Sequence, residues 1–136
     1  METSSEPFRQ DAWPFQLWYW APVFGYAALI FYFSAQSHPE EQLPRFLMQD
    51  VSDKLLHAVE YAVLGILCYR GFRWAAGPSA ARQAVLLSIA AASAYAVTDE
   101  VHQFFIPARE ASSWDWVADT VGAAVGSISW SYFSER

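Results

Sequence analysis

The sequence predicts an all-α membrane protein: four transmembrane helices in a small bundle, with a polar pocket at the extracytoplasmic end. Three observations lead to this prediction. The 136 residues are 54% hydrophobic and 18% aromatic but only 16% charged, against about 25% charged in a typical soluble domain. Residues 12–39, 83–98 and 120–134 contain no Asp, Glu, Lys or Arg. The acidic and basic residues that remain gather near the ends of long apolar segments.

Four segments are long enough to cross a bilayer, which takes about 20 helical residues. The first has no charge and no polar face, which a surface helix of a soluble bundle would need. The length fits one domain, 1–136, with an N-terminal cytoplasmic tail at 1–15. Residues 37–52 and 74–81 are predicted loops, and Pro107 ends the third helix. The predicted spans are 17–36, 53–73, 82–105 and 114–133.

Composition also excludes several classes of protein. The one cysteine, Cys68, excludes an internal disulfide and a multi-cysteine zinc site. A net charge of −6 argues against a nucleic-acid partner, which calls for a basic patch. The first residues lack the basic start of a signal peptide, so we expect the first apolar segment to remain as a membrane anchor.

The basic residues set the predicted orientation, because cytoplasmic loops carry an excess of Lys and Arg. Five basic residues flank the termini and the second loop, and three lie on the opposite side. We therefore predict that both termini are cytoplasmic and that the first and third loops face outward. The five are Arg9, Arg70, Arg73, Arg82 and Arg136, and the three are Arg45, Lys54 and Arg109.

Three of the predicted helices carry a polar stripe at their outward end. Residues at i, i+4, i+7 and i+8 share one helix face. Charged side chains in hydrocarbon cost about 2.5–3.5 kcal/mol at the bilayer centre, so we expect the three stripes to converge. Glu100 lies about 100° from Asp99 around the helix and should face another neighbour. The stripes are Asp53, His57, Glu60 and Tyr61; Tyr95, Asp99, His102 and Gln103; and Asp115, Asp119, Gly122 and Gly126.

The predicted pocket is strongly acidic. With Glu100, Glu110, Lys54 and Arg109 it holds seven acidic and two basic residues, an excess of five negative charges before any histidine is protonated. Such a group cannot stay fully ionised in a low dielectric. Some carboxyl groups must therefore be protonated, or His57 and His102 must be charged, or a cation must bind.

At these stripes the sequence resembles the VanZ-like family of small bacterial membrane proteins, from about residue 29 to 128. Glu60 stands where members of that family often have an apolar or small residue. A weaker similarity covers the end of the first helix, 31–37. The three main matching segments are 52–61 with Leu64 and Gly65; 98–103 with Pro107 and Arg109; and Ser113, Asp115, Asp119, Gly122 and Gly126.

The resemblance implies a multi-pass protein of the bacterial inner membrane and cell envelope. The family's namesake is linked to low-level resistance to the glycopeptide teicoplanin, and no established reaction is attached to the family. Glycopeptides act on the outer face of the membrane, which agrees with a pocket that opens outward.

Several roles remain open for the polar residues. His57 and His102 could ligate zinc or another divalent metal with Glu60, Asp99 or Asp119, form interhelical hydrogen bonds, or perform acid–base chemistry. Arg109 and Lys54 could bind a phosphate or carboxylate of a lipid headgroup, or form structural ion pairs such as Arg109 with Asp115. The GxxxG motif of Gly122 and Gly126 indicates close helix packing, within the bundle or in a homodimer.

Three functions follow. The first is a non-enzymatic envelope protein whose pocket binds a lipid headgroup, a cell-wall precursor or a glycopeptide, and which contributes to glycopeptide tolerance. The second is a membrane-embedded hydrolase or transferase that acts on a lipid-linked phosphate or sugar, with or without a metal. In that case the catalytic candidates are His57, Asp99, His102 and Asp119. The third is a proton-linked carrier.

Cysteine labelling tests the predicted orientation. In intact cells, Arg109→Cys should react with a membrane-impermeant maleimide, because the third loop is expected to face outward. Ser79→Cys in the second loop should react only after permeabilisation, and the parent chain with Cys68 alone is the control. Labelling of residue 109 from the inside only would overturn the orientation.

Overall fold

The computed structural model describes residues 13–36 and 50–136, with side chains described from residue 53 onward in the second range. Within these residues the fold is all-α, as predicted. Most of the N-terminal tail and of the first loop, 1–12 and 37–49, lies outside the described residues, and so do the predictions for Arg9 and Arg45. The helices are α1 Trp13–Ser34, α2 Asp50–Ala75, α3 Gly77–Arg82, α4 Ala84–Phe104 and α5 Ser113–Ser134.

Three of these helices are long and apolar enough to span a membrane: Trp13–Ser34, Asp53–Ala75 and Ala84–Phe104. Helix α5 is 22 residues long but does not belong to this set. Its sequence contains Asp115 and Asp119 together with several serines, which lower its mean hydropathy. The length of α5 therefore supports the predicted fourth span, but the composition of α5 does not.

A short helix, α3, occupies most of the segment predicted to be the second loop. Helix α2 continues to Ala75, and Gly77 then adopts a positive φ of 86°. Glycine takes this backbone conformation at little steric cost. Pro78 lies in the first turn of α3, where a missing backbone N–H is tolerated. The chain thus turns sharply before α4.

Helix α2 is the centre of the bundle, because it contacts α1, α4 and α5 as well as α3. Small side chains bring these helices close together, and tyrosines fill the remaining space. Large apolar side chains such as Leu55, Leu86 and Val125 are exposed on the outside of the bundle, as expected for a surface that faces lipid. The buried core consists of Val23, Ile30, Tyr61, Leu64, Cys68, Ala92, Ala96 and Ala123.

The closest approach in the bundle is between α2 and α5. A Cβ atom added at Gly122 would overlap the backbone carbonyl of Ala58, and one at Gly126 would overlap that of Ala62. Gly65 on α2 faces Ala123 in the same way. The GxxxG motif therefore lies against α2 of the same chain.

Hydrogen bonds between helices complete the packing. On the α4–α5 contact, Ser88 Oγ donates to Ser127 Oγ at 2.9 Å. On α1, Tyr26 Oη donates to the carbonyl of Glu60 at 3.1 Å, and Tyr95 Oη of α4 donates to that of Ala27 at 2.5 Å. These bonds hold α1 against α2 and α4, because polar contacts stabilise helix association where water is absent.

The end of the bundle opposite to the polar stripes has its own polar contacts. Arg73 Nε lies 2.7 Å from Glu135 Oε1, and Tyr69 donates a hydrogen bond to the same oxygen. The hydrogen bonds from Tyr69 and Arg73 hold the pKa of Glu135 below its ordinary value. Arg70 lies over the ring of Tyr19 at 5.6 Å. This end joins α1, α2 and the end of α5.

Alanine substitutions of the glycines test the α2–α5 contact. Gly122→Ala and Gly126→Ala should each lower the free energy of unfolding by about 1–3 kcal/mol, because the helices must separate to admit a methyl group. Gly25→Ala is the matched control, since a Cβ there has no atom within 4 Å. Denaturation in detergent micelles measures all three. Equal stability of the Gly122 and Gly25 variants would contradict the contact.

Candidate functional site

A buried histidine–aspartate pair joins α2 to α5 directly above the glycine contact. His57 Nδ1 lies 2.9 Å from Asp119 Oδ1, and its Nε2 lies 3.9 Å from Asp115 Oδ2. Asp119 is 0% exposed, and its second oxygen, Oδ2, has no hydrogen-bond partner among the described residues.

Lys54 completes the polar contact between α2 and α5. Its ammonium group forms ion pairs with Asp53, at 3.3 Å, and with Asp115. Asp115 is buried, whereas the other two side chains are each about two-fifths exposed. The alternative of an ion pair between Arg109 and Asp115 is not formed here, because Asp115 has Lys54 as its partner.

A second buried carboxylate, Asp99, faces this group from α4. It is 4% exposed, and its Oδ2 accepts a hydrogen bond of 3.2 Å from Gln103 Nε2. Ser34, at the end of α1, lies beside it. Neither Asp99 Oδ1 nor Ser34 Oγ has a hydrogen-bond partner in the described part of the chain. The hydroxyl group of the fully buried Tyr61 is unpartnered there as well.

Two of the predicted site residues have other surroundings. Glu100 Oε2 accepts a hydrogen bond of 2.7 Å from the backbone N–H of Ser112, just before α5. It therefore supports the third loop, in agreement with its different helix face. The ring of His102 stacks on Phe31 of α1, with centroids 4.3 Å apart.

The third loop brings Arg109 back towards the helices. Ala108 has a φ of 64°, a left-handed conformation that is uncommon for a residue with a side chain. The N–H of Arg109 bonds to the carbonyl of Ile106 at 3.2 Å. The turn places Arg109 on the wall of a cavity, where it has no ion-pair partner among the residues the structure describes.

This cavity, of about 530 Å³, lies between α1, α2, α4 and the third loop. One part of its lining is apolar or aromatic and the other part is polar or charged. Predicted site residues Asp53, His57, Glu60, Asp99, Gln103 and Arg109 form much of the polar part. The lining as a whole is Tyr26, Leu29, Ile30, Phe33, Ser34, Gln36, Asp53, Leu56, His57, Val59, Glu60, Asp99, Gln103 and Arg109.

The contribution of α1 to the cavity is the part that the sequence pattern did not predict. Because α1 has no charged residue, it has no polar stripe. The periodicity of polar residues therefore could not identify which side of α1 faces the other helices. The available signal was its polar end, Ser34 and Gln36, which falls within the weaker similarity at 31–37. Both residues line the cavity.

The structure brings together a different group of metal-ligand atoms from the one predicted. Atoms of Asp53, His57 and Asp115 all lie within 4.8 Å of one another. Of the predicted ligands His57, His102, Asp99 and Asp119, only His57 belongs to this group. The ammonium of Lys54 contacts both of its carboxylates and supplies the positive charge that a metal would bring.

A comparison with protein-family models matches residues 7–134 to the model described as VanZ/LLP1. The chain belongs to the VanZ/LLP1 family. The resemblance traced from about residue 29 to 128 is confirmed, and the VanZ/LLP1 match extends beyond it at both ends. Neither the curated proteins nor the solved structures provide a match to this chain.

In this VanZ/LLP1 chain, a double-mutant cycle tests the buried pair. His57→Gln and Asp119→Asn should each destabilise the protein, and the coupling free energy between them should be about 1–3 kcal/mol, because a buried partner is left unpaired. The exposed pair, changed by Arg73→Gln and Glu135→Gln, should show a smaller coupling. Unfolding with sodium dodecyl sulfate in mixed micelles measures both cycles. Additive effects at His57 and Asp119 would contradict the pairing.

Proposed function

We propose that this protein binds the phosphate-bearing headgroup of a membrane lipid in the cavity at Arg109. In this proposal it resides in the bacterial inner membrane with four spans and both termini in the cytoplasm. The cavity then opens towards the outer face of the membrane, and the protein acts as a binding component of the cell envelope.

The two-sided lining of the cavity is the observation that carries the proposal. Leu29, Ile30 and Phe33 of α1 offer an apolar surface, and Arg109 and Gln103 offer polar groups. A phospholipid has the same division between acyl chains and headgroup. The volume of about 530 Å³ falls within the range of about 300–1,000 Å³ typical of small-ligand sites.

Arg109 is the residue best suited to the phosphate. A guanidinium group presents paired N–H donors that match phosphate geometry, and this one has no carboxylate partner in the described residues. Lys54 was the other candidate for an anion. Its ion pairs with Asp53 and Asp115 already neutralise it, so we assign the anion to Arg109 alone.

The other ligands considered from the sequence share part of this chemistry. A lipid-linked cell-wall precursor also combines phosphate with an apolar chain, so it would use the same residues. A whole glycopeptide is larger than the drug-sized ligands that such cavities enclose. We therefore place any contribution to teicoplanin tolerance downstream of lipid or precursor binding.

Binding ranks ahead of hydrolysis or group transfer because of Lys54. A metal-assisted reaction at Asp53, His57 and Asp115 would require this ammonium group to leave two carboxylates. The His57–Asp119 hydrogen bond has a structural consequence that needs no reaction, because it joins α2 to α5.

Lipid retention tests the proposed function. Purified protein is exposed to an equimolar mixture of phosphatidylethanolamine and phosphatidylglycerol, and bound lipid is counted by native mass spectrometry. Arg109→Gln should reduce total bound lipid about tenfold, since a hydrogen bond to a charged group contributes about 1.5–3 kcal/mol. Arg82→Gln, at the opposite end of the bundle, is the matched control. Equal retention by the Arg109 variant and the parent protein would refute the proposal.

A further inference from the structure

We infer that the lipid bound at this cavity carries both a phosphate and a primary ammonium group, as an aminophospholipid such as phosphatidylethanolamine does. The inference rests on the proposed headgroup-binding function and adds the chemical class of the headgroup. Four features of the cavity, as the described residues form it, carry the inference. They are two carboxylates without a cationic partner, unpartnered polar atoms, one guanidinium group without an ion pair, and an apolar wall.

The carboxylates of the cavity are not equivalent. Asp53 is paired with Lys54, but neither Glu60 nor Asp99 forms an ion pair with any residue that the structure describes. Both line the cavity. A ligand that brought only negative charge to this wall would be repelled by two carboxylates.

A buried carboxylate oxygen on the cavity wall is available to a hydrogen-bond donor of the ligand. Asp99 is nearly fully buried, yet its Oδ1 has no hydrogen-bond partner in the described segments. A buried polar atom without a partner costs about 1–3 kcal/mol. A primary ammonium group has three N–H donors and a positive charge, so it would satisfy Asp99 Oδ1 and neutralise Glu60 together.

Arg109 lines the same cavity as these two carboxylates. One guanidinium and two carboxylates on one cavity wall are complementary to a zwitterion, with phosphate at Arg109 and ammonium at Glu60 and Asp99. Phosphatidylglycerol lacks the ammonium group, and phosphatidylcholine has a quaternary ammonium without N–H donors.

The apolar wall of the cavity, on α1, favours a lipid as the ligand. Leu29, Ile30 and Phe33 would have no counterpart in free phosphoethanolamine, which has the same charged groups but no acyl chains. We place the acyl chains against this α1 surface, which is continuous with the exposed apolar outside of the helix.

A headgroup series tests the inference. Parent protein is offered phosphatidylethanolamine, phosphatidylglycerol and phosphatidylcholine with identical acyl chains, and bound lipid is counted by native mass spectrometry. We expect about tenfold more phosphatidylethanolamine than either of the others. Equal or greater binding of phosphatidylglycerol or phosphatidylcholine overturns the inference, while Arg109-dependent binding would still support the proposed function. Lipid binding that does not depend on Arg109 would contradict both the inference and the proposed function.

Substitutions assign the preference to the two carboxylates. Glu60→Gln and Asp99→Asn should each reduce the preference for phosphatidylethanolamine. Glu110 is an exposed acid of the third loop that does not line the cavity, so Glu110→Gln should leave the preference unchanged. Glu60 is only partly buried, so its variant remains informative if Asp99→Asn unfolds. An unchanged preference in a folded Glu60 variant would count against the inference. If an equal concentration of free phosphoethanolamine displaced the lipid, the inference that the bound headgroup belongs to a lipid would be overturned.

Discussion

The approach of α5 to α2 at glycine is the constraint on which the rest of the molecule depends. Without side chains at Gly122 and Gly126, the two helix backbones come into direct contact. One turn further along, the same spacing leaves room for a single imidazole–carboxylate hydrogen bond between His57 and Asp119. The cavity lies between α2, α1 and α4, where the hydrogen bonds of Tyr26 and Tyr95 join α1 to its neighbours. Tight packing of α2 on α5 thus accompanies an open space between α2, α1 and α4.

Electrostatics in the polar end are resolved by pairing rather than by a compensating excess of basic residues. Lys54 forms ion pairs with two carboxylates, and His57 pairs with Asp119. The backbone N–H of Ser112 donates a hydrogen bond to Glu100. Of the other three acids of the described cluster, Glu60 and Asp99 line the cavity, and Glu110 is exposed in the third loop. Part of the excess of negative charge that the composition reveals therefore lies at the cavity wall.

The sequence predicted the parts of the site that depend on helix periodicity. Positions i, i+4 and i+7 share a helix face, and the structure pairs His57 with Asp119 and places Asp99 on the wall of the same cavity as His57. His102 of the α4 stripe stacks on Phe31 instead. Periodicity does not identify the partner of a flexible side chain, so the double pairing of Lys54 and the stacking of His102 on Phe31 could not be predicted. Periodicity also gives no information about a helix that is apolar on all sides, so the cavity wall on α1 was not predicted. The short helix α3 was missed because Gly77 and Pro78 are equally typical of a loop.

The position of the glycine motif has a consequence for assembly. Motifs of this kind are known for bringing two separate chains together in a membrane. Here Gly122 and Gly126 are buried against the chain's own α2. A homodimer built on them would have to break the bundle first, so any self-association must use a different face. The outer surfaces of α1 and α4, which carry large exposed apolar side chains, remain accessible to another copy or to lipid alone.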